Sequence, residues 1–227
     1  MREVDLATAS VRELNAQLHA VGRGSNETSW VVRNPLGAHS LAVGLDGDIS
    51  VEIDGHAGYY CAGMNKGASV TVNGNAGQGL AENIMSGTIR VKGSASAAAG
   101  ATGHGGLIVI EGDASSRCGI SMKGVDIVVG GSVGHMSAFM GQAGTLVVCG
   151  DAGGHLGDSI YETVIYVGGE VESLGADCIE KDMTESHVAK LADLLSRAGI
   201  EADPQTFRRF GSARKLYNFD VDNVDGY

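Results

Sequence analysis

The chain has 227 residues, enough for one domain with flanking elements, and its 27 acidic and 16 basic side chains give a net charge of −11. That balance argues against nucleic acid as a main partner, and no apolar run reaches membrane-spanning length or opens the chain as a signal peptide. Glycine is abundant at 36 residues while aromatics make up only 5%, so the expected core is narrow and built from Val, Ile and Ala.

Residues 10–21 are expected to form an amphipathic helix. Ser10 and Glu13 fit a capping box, Val11, Leu14, Leu18 and Val21 share one face, and Gly22 and Gly24 stop it. Trp30-Val31-Val32 and residues 41–43 read as two short strands. They are expected to belong to an irregular coil that closes this end, because an open β-edge invites aggregation.

From residue 45 the chain becomes periodic. Gly55, Gly74, Gly93, Gly112, Gly131, Gly150 and Gly169 stand nineteen residues apart. Two positions before them come Ile53, Val72, Val91, Ile110, Val129, Val148 and Val167; four before come Val51, Val70, Ile89, Ile108, Ile127, Leu146 and Ile165. Two after come Ala57, Ala76, Ala95, Ala114, Val133, Ala152 and Val171. Apolar-x-apolar is the alternation of a half-buried strand, and the glycine is expected to end it in backbone angles that a Cβ would forbid. One such strand cannot bury its face alone, but seven stacked at about 4.8 Å per coil form a parallel ladder roughly 30 Å long. Nineteen is not a multiple of six, which argues against the left-handed hexapeptide solenoid, and parallel crossovers are usually right-handed. The fold class is therefore read as all-β, a single-stranded right-handed β-helix of about seven 19-residue coils, with an N-terminal helix and a C-terminal helical tail.

Three positions before each glycine the side chain should point outward. The series there is Glu52, Thr71, Arg90, Val109, Val128, Val147, Tyr166, polar at first and then apolar. Something is expected to cover Val109, Val128, Val147 and Tyr166, either the chain's own C-terminal helix or another subunit. That helix is read over residues 184–198, with Val188, Leu191, Leu194 and Leu195 on its apolar face and Gly199 ending it. Asp203-Pro204 should open a short third helix carrying Phe207 and Phe210, and residues 215–227, with Leu216, Tyr217 and Phe219, read as a docked tail. The implied division is 1–44 for the N-terminal helix and capping segment, 45–180 for the β-helix, and 181–227 for the C-terminal helices and tail.

No catalytic set is legible. His56, His104, His135 and His155 occupy different slots of the repeat, and no H-E-x-x-H, G-x-S-x-G or P-loop lysine occurs. Cys61, Cys118, Cys149 and Cys178 form no C-x-x-C pair. Cys61 and Cys118 share a slot three coils apart, about 14 Å, too far for a disulfide, so reduced thiols in a cytoplasmic protein are expected. Glu170 and Glu172 read as a solvated edge. Bulky residues after the turns, such as Tyr59, Tyr60 and Met64 or His135, Met136, Phe139 and Met140, are either corner packing or contact points. The catalytic, cofactor-binding and metal-ligating sets of this chain are accordingly taken as empty, and a rigid scaffold is favoured over an independent solenoid enzyme with its site between subunits.

The recurring strand-Gly-x-Ala-Gly pattern, clearest in Gly55-His56-Ala57-Gly58, Gly74-Asn75-Ala76-Gly77 and Gly150-Asp151-Ala152-Gly153, resembles the GXGXG β-helix domain of the glutamate synthase large subunit. Ser96, Ser115 and Glu172 replace the later glycine in coils three, four and seven. In length and flanking helices the chain is similar to the stand-alone β-helix subunit of N-methylglutamate synthase (methylamine–glutamate N-methyltransferase). The resemblance implies a non-catalytic structural subunit that binds no cofactor itself. It implies two partners: a glutaminase-type amidotransferase subunit, and a glutamate-synthase-like subunit carrying FMN and an iron–sulfur cluster. The β-helix subunit of formylmethanofuran dehydrogenase is a related alternative.

Overall fold

The computed structural model of the protein describes residues 1–21 and 28–213. The repeat forms a β-solenoid. Its strands β3 (Ser50–Ile53), β4 (Ser69–Val72), β5 (Thr88–Val91), β6 (Leu107–Ile110), β7 (Lys123–Val129), β8 (Ala143–Val148) and β9 (Val164–Val167) pair in parallel, each with the next. Same-slot residues stack: Val51 faces Val70, which faces Ile89, and so on to Ile165. All fourteen inward aliphatics of the repeat are buried. The small residues after the glycines bridge coil to coil from Ala57 through to Val171, making a second corner of the same ladder.

The ladder starts earlier than the repeat. Strands β1 (Arg2–Asp5) and β2 (Ser29–Arg33) add to it in parallel, Trp30 facing Val51 and Val32 facing Ile53. Between them α1 (Val11–His19) lays Leu14 and Leu18 into the core, and both halves of the Ser10–Glu13 capping box form. The helix ends at Ala20, while Gly22 and Gly24 lie outside the described residues. Residues 41–43 are not a strand. They lie in a turn with Ala42 at φ +52°, and the Leu41 carbonyl accepts from Ala62 N–H at 2.9 Å. An apolar pair two apart can therefore serve an inward-facing turn as well as a strand.

At the other end the chain reverses. Strand β10 (Cys178–Lys181) leads into α2 (Glu185–Ala198), capped by Thr184 and closed by a left-handed Gly199. The expected third helix is only a 3-10 turn, Pro204–Thr206. Phe207 caps that turn, and Phe210 lies in strand β11 (Arg208–Ser212), which inserts antiparallel between β9 and β10 and sets Phe210 against Ile165. As a strand the segment pairs with the last coil and buries Phe210 there. The tail at residues 215–227 lies outside the described residues.

The seven repeat glycines are required mainly for space. Only Gly55 has φ in the left-handed range. A Cβ at Gly74 would stand 2.7 Å from the Gly55 carbonyl oxygen, and one at Gly93 2.9 Å from that of Gly74. The glycines instead hydrogen-bond to one another, Gly93 N–H to Gly74 at 3.0 Å and likewise to Gly169. Expected turn angles are thus replaced by backbone-to-backbone contact between coils.

Left-handed residues occur elsewhere, and in register. Five, seven and nine positions after each glycine φ is positive in six successive coils: Tyr60, Ala62, Met64; Gly79, Ala81, Asn83; Ala98, Gly100, Thr102; Arg117, Gly119, Ser121; Met136, Ala138, Met140; His155, Gly157, Ser159. These residues build a second ladder on the side of the coil away from the strands. Gly79 and Asn83 donate forward to Ala97 and Ala101, while Ala81 donates back to Cys61 at 2.8 Å. A left-handed backbone costs an L-residue roughly 1–2 kcal/mol, about what one net hydrogen bond of ~0.5–1.5 kcal/mol returns. The arc therefore stands on core burial, not on its own hydrogen bonds. Its middle slot is buried and holds only Ala or Gly; a Cβ at Gly100 would be 2.6 Å from Ile127 Cδ1.

Candidate functional site

The outward strand face of the later coils is covered by the chain itself. Val109, Val128, Val147 and Tyr166 are buried in one cluster with Leu191, Leu194, Leu195 and Ala198 of α2 and with Phe207. Lys190 Nζ reaches Asp126 at 3.1 Å, and Arg90 Nη2 donates to the Ala198 carbonyl at 2.8 Å, placing a cation at the helix C-terminus. Each buried Leu contributes about 1.5–3 kcal/mol, whereas a half-exposed ion pair contributes about 1 kcal/mol or less. Apolar burial therefore decides the docking and the ion pair sets the register. The polar-to-apolar step between Arg90 and Val109 falls where α2 ends, and Glu52 remains exposed beyond it.

Two features of the polar edge escape a search for reactive motifs. The residue after each repeat glycine carries a side-chain acceptor, and these residues form a column. Asn75 N–H donates to His56 Nδ1, Ser94 N–H to Asn75 Oδ1, Asp113 N–H to Ser94 Oγ, and the series continues through Ser132 and Asp151 to Glu170 N–H at 2.8 Å. Reading that slot down the sequence (His, Asn, Ser, Asp, Ser, Asp, Glu) would have shown it. Past the column, Asp151, Glu170 and Glu172 border a shallow open depression floored by Ala152 and Val171.

The histidines stay apart in role. His56 belongs to the column. His39 stacks on Tyr59 at 4.1 Å, and its Nδ1 accepts from Tyr59 N–H. His135 and His155 meet edge-on at 5.2 Å, and His104 is exposed. Burial, and then the nearby Arg209 charge, lower the pKa of His187, which lies beside Tyr166 and caps α2 through Thr184. Among the described residues no three of His, Cys, Asp and Glu gather as a metal site would need. Burial pushes the thiols of Cys61 and Cys118 up to about 12 and those of Cys149 and Cys178 up to about 11, far from the thiolate a nucleophile needs. Of the bulky post-turn residues, Tyr59, Met64, His135 and Met140 are exposed, and Tyr60, Met136 and Phe139 are half-buried. Among the described residues no helix is long and apolar enough to cross a membrane.

No family model matches the sequence. The chain is 60% identical over 228 residues to Protein GlxC of Rhizobium meliloti (strain 1021), covering 100% of both. Its fold is similar to a chain in the X-ray structure of the formyltransferase/hydrolase complex (FhcABCD) from Methylorubrum extorquens with methylofuran. There the TM-score is 0.69 at 24% identity, across 93% of this chain and 91% of that one.

Proposed function

Because the chain belongs to the family of Protein GlxC, we propose that it is the β-helix subunit of a multi-subunit, glutamate-synthase-like complex, most closely of the N-methylglutamate synthase type. In this reading it is a structural piece and not a catalyst. It holds a glutaminase-type amidotransferase subunit and an FMN- and iron–sulfur-bearing synthase subunit at a fixed separation, and the cofactors stay on the partner. The observation that carries the reading is the parallel ladder from β1 to β9, doubled over six successive coils by the left-handed arc on the other side. Nine strands at about 4.8 Å span roughly 38 Å with little freedom to bend. An amine passing between two centres must not escape to water, and a stiff spacer fixes that path better than loops could.

Gentle affinity isolation of the chain from its host tests this. The expected result is stoichiometric amidotransferase and flavin/iron–sulfur subunits, with the visible chromophores remaining on the partner after separation. A lone monomer, or a chain that alone binds stoichiometric metal or turns over substrate, overturns it. The likeness to a chain of the formyltransferase/hydrolase complex favours a second reading, the β-helix subunit of a formyl-handling complex such as formylmethanofuran dehydrogenase. Recovery of formyltransferase- and hydrolase-type partners selects that reading instead.

A further inference from the structure

Eight large apolar side chains are exposed among the described residues. Met1 and Leu36 lie in the N-terminal coils and Ile179 in β10, while the other five, Tyr59 (53% exposed), Met64 (47%), Met85 (47%), Met140 (45%) and Tyr161 (40%), all lie on the left-handed arc. The outward apolar residues of the later strands are covered by α2, and no arc residue belongs to that cluster. The arc is also charge-poor. Over residues 59–67, 78–86, 97–105, 116–124, 135–143 and 154–162 it carries Lys66, Arg117 and Lys123 against Glu82, Asp158 and Glu162, a neutral balance in a chain of net charge −11. Exposed aromatic and Met residues with few charges are the composition of an interface centre. The inter-coil hydrogen bonds already fix this backbone, so little ordering cost attends binding.

One border of the arc is acidic. Asp113, Asp151, Glu170 and Glu172 are exposed along the neighbouring edge, and among the described residues Arg208 is the cation near Glu170, at 3.7 Å. A second copy of the chain would bring the same acidic edge and a further −11 to the contact, which long-range repulsion disfavours. We infer that the left-handed arc seats a subunit of different sequence, apolar at its contact centre and basic along the rim that meets Asp151, Glu170 and Glu172. This rests on the scaffold reading above and adds to it the face used and the chemistry of the partner.

Methionine footprinting of the native assembly tests it. Full-length tagged chain, isolated gently from its host, is exposed to dilute hydrogen peroxide beside the chain purified alone. Oxidation at Met64, Met85 and Met140 is compared with Met183, which packs beside α2. The three arc methionines should react at least tenfold more slowly in the assembly, with Met183 unchanged. M85E/M140E should weaken assembly at least tenfold while the isolated variant melts as the parent does. Equal oxidation in both samples overturns the inference, as does protection within a homodimer. A lone monomer overturns both this and the scaffold reading. Protection by a basic partner that is neither amidotransferase nor flavoprotein upholds the arc and removes the proposed complex.

Discussion

The two long sides of the solenoid are wound by one chain at one pitch, yet they follow different chemical rules. The strand side alternates β-branched residues in and out, accepts bulk on both faces, and disposes of its outward Val109, Val128, Val147 and Tyr166 beneath α2. The arc side alternates backbone hand, admits only Ala or Gly at its buried middle slot, and leaves Tyr59, Met64, Met85 and Met140 in solvent. Equal coil length therefore does not mean equal construction. Over the later coils the strand side is closed by the chain itself, while the arc keeps apolar side chains exposed.

The sharpest way to break this contrast is to place charge on the closed side. Val128→Glu would set an unpaired carboxylate in a fully buried site, with an expected loss of about 3–5 kcal/mol read as a lower midpoint in denaturant titration. Unchanged stability would mean that α2 does not cover the face. On the arc, Ala81 sits at φ +52° with no exposure. Ala81→Val should cost about 2–4 kcal/mol through backbone strain and overpacking, whereas Ala81→Gly should be nearly neutral, relief of strain offsetting one lost methyl. Glycine tolerated and valine rejected is the reverse of a strand's preference, so equal effects would dissolve the distinction between the sides.

A smaller effect is expected at the helix start. Burial and Arg209 lower the pKa of His187, so the unfolded chain takes up this proton more readily than the folded one. The sign follows: stability is retained above the ordinary His range and falls as pH drops through it. The amide protection factors in the first turn of α2, with the intrinsic pH dependence of exchange divided out, should fall on acidification, and His187→Gln should flatten that dependence. A pH response unchanged in the variant assigns it to other groups.

Much of this fold is legible in the residues. The nineteen-residue glycine spacing, the paired aliphatics, the Ser10–Glu13 capping box and the Gly199 stop announce the ladder and its flanking helices, because each is a local signal. The polar-to-apolar run from Glu52 to Tyr166 points to a cover on the later coils, which the chain supplies. The arc is hidden because left-handed backbone is written in a mixture of Tyr, Ala, Met, Asn, Arg and Ser that shows no hydrophobic period; only the Ala/Gly-restricted middle slot betrays it. The glycine contacts and the insertion of β11 are hidden for another reason. Both depend on what the neighbouring coil presents, Gly55 to Gly74 in one case and β9 to Phe210 in the other.

An electron-microscopy map of the assembly isolated from its host would show both sides of the solenoid at once. The expected map has α2 still seated on Val109, Val128 and Val147, and a different subunit lying along the arc over Tyr59, Met85 and Met140. A map with the arc bare to solvent, or with α2 displaced and a partner on the strand face, would contradict it.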